Sequence, residues 1–277
     1  MTIVVAMRKT PRLLLSSIVV LGFIGASCGS DSDSAATTAA PTTTAPSITV
    51  PTVTGDVTVF AAASLTAAFT EIGDAFMVEN PDAKVTFNFA ASSELVTQVN
   101  EGAPADVFAS ADQANMTKLT DAGNNGAPPV VFATNLLQII VEPNNPKGIT
   151  GVADLSNPDL AVVICAPEVP CGKYAAQIFD NAGVTVTPKS LEANVKAVVT
   201  KVTAGEADAG IVYETDVTAA GDAADGVDIP EDINVVAEYP IAVTKDAPNP
   251  FGGQAFVDFV ASDAGQKILA SYGFLAP

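Results

Sequence analysis

From about residue 56 to the C terminus, short β-branched or aromatic runs alternate with stretches of helical spacing. Val57–Ala62 reads as a strand. Leu65, Ala68, Phe69, Ile72 and Phe76 then fall on one helical face. Lys84–Ala90 alternates, with Val85, Phe87 and Phe89 on one side, and Leu95, Val96 and Val99 mark the next helix. Asp106–Ser110 predicts a strand and 111–122 a helix ending near Gly123. Leu136–Glu142 and Leu160–Cys165 read as buried strands, and Tyr174–Asn181 as a helix. The stretch 194–203 is a helix with Val195, Val198, Val199 and Val202 on one side. Asp208–Tyr213 predicts a strand, and Ile233–Thr244 one or two strands broken by Pro240. Two helices, at about 252–261 and 263–271, close the chain. Such alternation predicts an α/β fold, with mixed, mostly parallel sheets and helices on both faces. The stretch is long for one such sheet, so two α/β lobes are expected.

The chain ahead of it has a different character. Arg8, Lys9 and Arg12 precede an apolar run from Leu13 to Ile24, too short to cross a bilayer comfortably. Gly25, Ala26 and Ser27 then lead to Cys28. This resembles the lipobox of bacterial lipoproteins, although Gly25 stands where Leu or Val is usual. Residues 1–27 are read as a lipoprotein signal peptide and Cys28 as the lipidated residue; a plain secretory signal is the alternative. Translation from Met7 in place of Met1 would make a more usual signal. In residues 29–55 all but Ile48, Val50 and Val53 are Gly, Ser, Asp, Ala, Thr or Pro. Such a segment cannot bury enough apolar surface to order itself. Residues 28–55 are therefore read as a tether, with an rms span of roughly 30 Å. The expected location is extracytoplasmic, lipid-anchored to the outer face of the cell membrane.

Composition excludes several functions. The chain has no histidine, hence no Ser-His-Asp or Cys-His triad and no His-ligated metal. The formal net charge is −19, and −22 after Ser27 because Arg8, Lys9 and Arg12 all lie before it. That opposes nucleic acid, which needs clustered Lys and Arg. A site of uncharged donors for one small anion would be invisible to such a count.

Ligands of open α/β sheets bind beyond the carboxyl ends of strands, where helices begin. Helix starts offer free N–H groups and a positive dipole end. Five turns qualify. Ser64 follows Phe60-Ala-Ala-Ala, and Ser92 follows Phe89-Ala-Ala. Pro167-Glu-Val-Pro-Cys-Gly172 precedes a helix, Glu192-Ala-Asn-Val195 opens another, and Gly210-Ile-Val-Tyr213 ends a strand. Each is weak alone. A serine before a helix is ordinarily a cap, and a tyrosine at a strand end is ordinarily packing.

Taken in order, Val59-Phe-Ala-Ala-Ala-Ser-Leu-Thr66, Phe89-Ala-Ala-Ser-Ser-Glu-Leu95, Gly102-Ala-Pro-Ala-Asp-Val-Phe-Ala-Ser-Ala-Asp112, Pro167-Glu-Val-Pro-Cys-Gly-Lys-Tyr-Ala175, Gly210-Ile-Val-Tyr213 and Tyr272-Gly-Phe274 resemble the molybdate-binding proteins of bacterial ABC importers, the ModA family. The resemblance covers about 56–277. It implies a two-lobed, type II periplasmic-binding-protein fold, with 56–136 plus 240–277 in lobe 1 and 137–239 in lobe 2. It also implies a monomeric receptor, not an enzyme, without cofactor, that takes molybdate and tungstate to the transmembrane subunits of an ABC permease. The family's contacts fall on Ser64 and Ser92 (hydroxyl and N–H), Cys171 and Val195 (N–H) and Tyr213 (hydroxyl), with no protein ligand on the metal itself. Cys171 stands where the family commonly has alanine.

Cys165 lies six residues before Cys171, and exported cysteines tend to oxidise. A Cys165–Cys171 disulfide is expected; two buried thiols are the alternative. A donor-only pocket would select against hydrogen phosphate, whose proton would lack an acceptor. Three other readings fit less well: a receptor for another oxyanion such as sulfate, a serine hydrolase using Ser64 or Ser92 with Lys173 as base, and a surface adhesion or structural lipoprotein.

Overall fold

The computed structural model describes residues 52–277. The residues read above as a signal peptide (1–27), as a lipidated Cys28 and as a tether up to residue 51 lie outside the described residues. The folded part begins earlier than expected, because Val53 is buried and the Thr54 carbonyl accepts a hydrogen bond from Asn249 Nδ2.

In chain order the elements are β1 (Gly55–Ala62), α1 (Thr66–Glu79), β2 (Ala83–Ala90), α2 (Ser92–Asn100), β3 (Val107–Ala109), α3 (Gln113–Asp121), β4 (Val130–Val141), β5 (Val162–Cys165), α4 (Pro170–Ala182), β6 (Ser190–Glu192), α5 (Val195–Thr203), β7 (Ala209–Tyr213), α6 (Glu214–Ala220), β8 (Asp225–Asp228), β9 (Val236–Val243), α7 (Pro250–Ala261) and α8 (Asp263–Ser271). The strands are ordered β2-β1-β3-β9-β4-β7-β5-β6, with β8 beside β4.

Two halves share this path. β1 pairs in parallel with β2 and β3, and β5 in parallel with β6 and β7. The strands that run between the halves, β4 and β9, pair antiparallel with each other. β4 changes partner along its length: Val130–Leu136 faces β9, and Leu137–Val141 faces β7. β9 in turn meets β3 through Ile241–Val243. These two crossing strands make the sheets mixed, as the fold reading expects.

The expected break at Pro240 does not occur; β9 is one strand. Pro240 faces Val131 where the register slips between Val131 and Ala133. A bulge is where a strand tolerates a missing N–H. The Pro240 carbonyl still accepts from the Ser110 N–H at 2.9 Å. β6, β8 and α6 are too short or too polar to show periodicity.

The half containing β1 is held by aromatic edge contacts. Phe69 packs on Phe132 and Phe256, and Phe76 on Phe256 and Phe259, with centroids 5.5–5.9 Å apart. Edge-to-face pairs of this kind add to simple burial. In the other half α5 sits directly on the sheet at Gly210, where a Cβ would collide with Val198 and the Val163 carbonyl. That close approach sets the start of α5 beside the ends of β5 and β7.

Candidate functional site

The five sequence-selected residues line one small cavity. Ser64 and Ser92 come from the half built on β1. Cys171, Val195 and Tyr213 come from the half built on β5. All five are buried, and the remaining lining is alanine, Val169, Pro170 and Asn194.

Local sequence explains each position. Ser64 lies in a single 3-10 turn, Ala63–Leu65, between β1 and α1. Its hydroxyl caps neither helix. Ser92 is the first residue of α2 and likewise makes no cap. The ordinary reading of both serines as caps is therefore set aside. Ser92 Oγ accepts the Ala111 N–H at 3.0 Å, and Ser64 Oγ lies 3.0 Å from Tyr239 Oη.

Helix α4 starts at Pro170, four residues before the Tyr174 start expected, because proline's fixed φ suits the first helical position. Cys171 follows it, in the first turn where N–H groups have no intrahelical partner. Cys171 is bonded to Cys165 in a disulfide, Cα atoms 5.7 Å apart. The bridge ties the end of β5 to the start of α4. Gly172 completes the turn, since a Cβ there would strike the Ala166 and Cys165 carbonyl oxygens. Val195 opens α5, capped by Asn194, whose Oδ1 accepts from Ala197 N at 3.1 Å. That cap leaves the Val195 N–H at a positive helix end.

Tyr213 carries the most telling atom. Its Oη is buried without a hydrogen-bond partner among the described residues. Buried hydroxyls are almost always paired. Burial first, then the neighbouring Tyr239, Tyr174, Asp112 and Asp216, push its pKa well above the usual tyrosine value. The group therefore stays protonated and is a donor.

No lysine lines the cavity, although two flank it. Lys173 Nζ meets Asp112 Oδ2 at 2.9 Å, and Lys196 Nζ meets the buried Asp216 Oδ1 at 2.8 Å. Asp216 Oδ2 also accepts the Tyr213 N–H at 3.3 Å. Each cation is neutralised by its own carboxylate, so the cavity is lined by neutral donors. The Lys173–Asp112 pair and the Tyr174 Oη bond to the Ala111 carbonyl, 3.2 Å, join the two halves beside the site.

These contacts also overturn the hydrolase reading. Lys173 is paired with Asp112, and the serine hydroxyls meet Tyr239 and the Ala111 N–H. Neither serine is hydrogen-bonded to a base. Sequence reasoning missed Tyr239, Asp112, Tyr174, Lys196 and Asp216. Asp112 had a faint signal, as the N-cap of α3 inside a quoted motif, where its Oδ1 accepts from Asn115 N.

Two lobes joined by two crossing strands, with helix starts from both around one cavity, define a periplasmic-binding-protein fold. Residues 57–275 match the family described as bacterial extracellular solute-binding protein, and the chain belongs to that family. It is a receptor, not an enzyme. The chain is 44% identical over 264 residues to the molybdate-binding protein ModA of Mycobacterium tuberculosis, covering 95% of this chain and 97% of the relative. It is 33% identical to the molybdate-binding protein ModA of Escherichia coli, covering 79% and 89%. The periplasmic molybdate-binding protein of Azotobacter vinelandii shares the fold with a TM-score of 0.69 at 18% identity, covering 80% of this chain and 99% of that one. The sulfate-binding protein SubI of M. tuberculosis shares it at 0.70 and 22% identity, covering 79% and 86%.

Proposed function

We propose that the protein captures molybdate, and tungstate with it, in the cavity between its lobes and delivers it to the transmembrane subunits of an ABC permease. The observation that carries this reading is that Tyr213, whose buried hydroxyl has no partner among the described residues, lines one cavity with the two serines and the helix starts at Cys171 and Val195. The names of the relatives supply the identity of the anion. The contacts are Ser64 and Ser92 through hydroxyl and N–H, Cys171 and Val195 through N–H, and Tyr213 through its hydroxyl.

A dianion leaving water gives up strong hydration and needs fixed donors in return. Neutral dipoles and helix ends provide them without an ion pair. The anion bridges donors of both lobes only when they are closed, so binding shifts the population toward the closed form. The permease then reads closure. Lipid on Cys28 and a tether through about residue 51 would hold this monomeric receptor near it, at the outer face of the membrane. No helix among the described residues is long and apolar enough to cross a membrane.

Calorimetry on Ser64→Ala and Ser92→Ala tests the reading. Each loses a hydrogen bond to a charged ligand, about 1.5–3 kcal/mol, so molybdate should bind at least tenfold more weakly; the ligand-free variants should also unfold at a lower temperature, because Tyr239 Oη and the Ala111 N–H each lose a buried partner. Unchanged binding by both variants would show that the anion sits elsewhere.

A further inference from the structure

Ser64 Oγ and Tyr239 Oη are both buried and 3.0 Å apart, although 175 residues separate them in sequence. Tyr239 is on the crossing strand β9 and does not line the cavity. Which hydroxyl donates follows from the surroundings. Asn135 is the other polar side chain facing the phenol. Its Oδ1 accepts the Leu136 N–H, and its Nδ2 donates to Thr215 Oγ1. Ser64 Oγ is the one hydrogen-bond partner of Tyr239 Oη among the described residues, so it is the acceptor for the phenolic proton. The reverse direction would bury that proton unpaired. Ser92 has the same arrangement by a different route, since the Ala111 N–H at its Oγ can only donate.

We propose that Tyr239 is a specificity-determining positioning residue: by donating to Ser64 Oγ it turns the Ser64 proton toward the cavity. Both serines then face a bound oxyanion with a proton and not with a lone pair. With the buried Tyr213 hydroxyl and two backbone N–H groups, the cavity is a shell of donors. The substrate class is the fully deprotonated tetrahedral oxyanion. An anion that carries its own proton finds no acceptor. This inference rests on the oxyanion-receptor reading above.

Tyr239→Phe tests it, because the ring keeps its edge contacts with Phe132, Tyr213 and Phe274. Calorimetry compares molybdate, selenate and arsenate at mildly alkaline pH. Selenate and arsenate are similar in size, but arsenate there carries one proton and selenate none. The wild-type protein should favour selenate over arsenate by about tenfold, one unpaired buried group. In Tyr239→Phe, molybdate should weaken several-fold and the selenate-to-arsenate ratio should fall toward one, because Ser64 is free to turn a lone pair to the ligand. A ratio unchanged from wild type would overturn the role of Tyr239 and leave the receptor reading intact. Equal selenate and arsenate binding by the wild-type protein would overturn the donor-shell argument without needing the variant. Failure of the wild-type protein to bind any oxyanion would overturn the receptor reading itself.

Discussion

Replacing Tyr213 by Phe should move stability and binding in opposite directions. The Oη is fully buried without a partner among the described residues, which costs about 1–3 kcal/mol relative to a paired or absent group. Removing it leaves the ring in place, edge-on to Tyr174 and Tyr239 with centroids 6.4 and 5.8 Å away. The ligand-free variant should therefore be as stable as the wild-type protein or more so. A gain of 1 kcal/mol corresponds to a rise of roughly 2–4 °C in Tm for a domain of this size. Binding should suffer. A neutral donor to a charged acceptor is worth about 1.5–3 kcal/mol, so the molybdate Kd should rise by roughly ten- to a hundredfold, at about 1.4 kcal/mol per decade. Differential scanning calorimetry without ligand and isothermal titration with molybdate read the two quantities on the same preparation. A variant that is less stable and binds normally would refute the reasoning, because the hydroxyl would then be structural.

Other contacts make their own predictions. Lys173→Met removes the ion pair to Asp112 that joins the lobes but touches no ligand; since Lys173 is partly exposed, a weakening of roughly two- to fivefold is expected. The order of preference among oxyanions should not change, and small-angle scattering should show a larger radius of gyration for the ligand-free variant. Tyr174, Tyr213 and Tyr239 all have raised pKa values, with burial the leading cause. Groups whose pKa rises on folding lend stability that is complete below the unfolded value, about 10, and is lost as pH climbs above it. Denaturant midpoints should therefore be insensitive to these tyrosines up to about pH 9 and fall steeply beyond pH 10. A flat profile to pH 11 would show that the cluster opens to water.

Much of the site was legible because it is made locally. Ser64, Ser92, Cys171 and Val195 each stand at a helix start, and a helix start announces itself through small residues, Pro170 and the Asn194 cap. Their convergence was not legible from periodicity; it came from the order of the motifs and the family they resemble. The partners that orient the donors stayed hidden for a physical reason. Tyr239 reaches Ser64 across 175 residues, and Lys173 reaches Asp112 across 61. Neither contact leaves a pattern along the chain. Pro240 misled for the opposite reason. Its local rule, that proline breaks a strand, yields to a register slip opposite it that only the paired strand β4 reveals. The strand expected at 136–142 is the C-terminal part of β4, which begins at Val130; the polar Thr134 and Asn135 interrupt the apolar run and hide its first half.

The central claim is that a shell of neutral donors selects large, fully deprotonated tetrahedral dianions. Titration calorimetry of the wild-type protein with molybdate, tungstate, sulfate and phosphate tests it most directly. One saturable site should bind molybdate and tungstate tightly. Sulfate should be weaker because it is smaller, and hydrogen phosphate weaker because its proton has no acceptor, each by about a hundredfold or more, close to 3 kcal/mol. Sulfate or phosphate bound as tightly as molybdate would contradict the account.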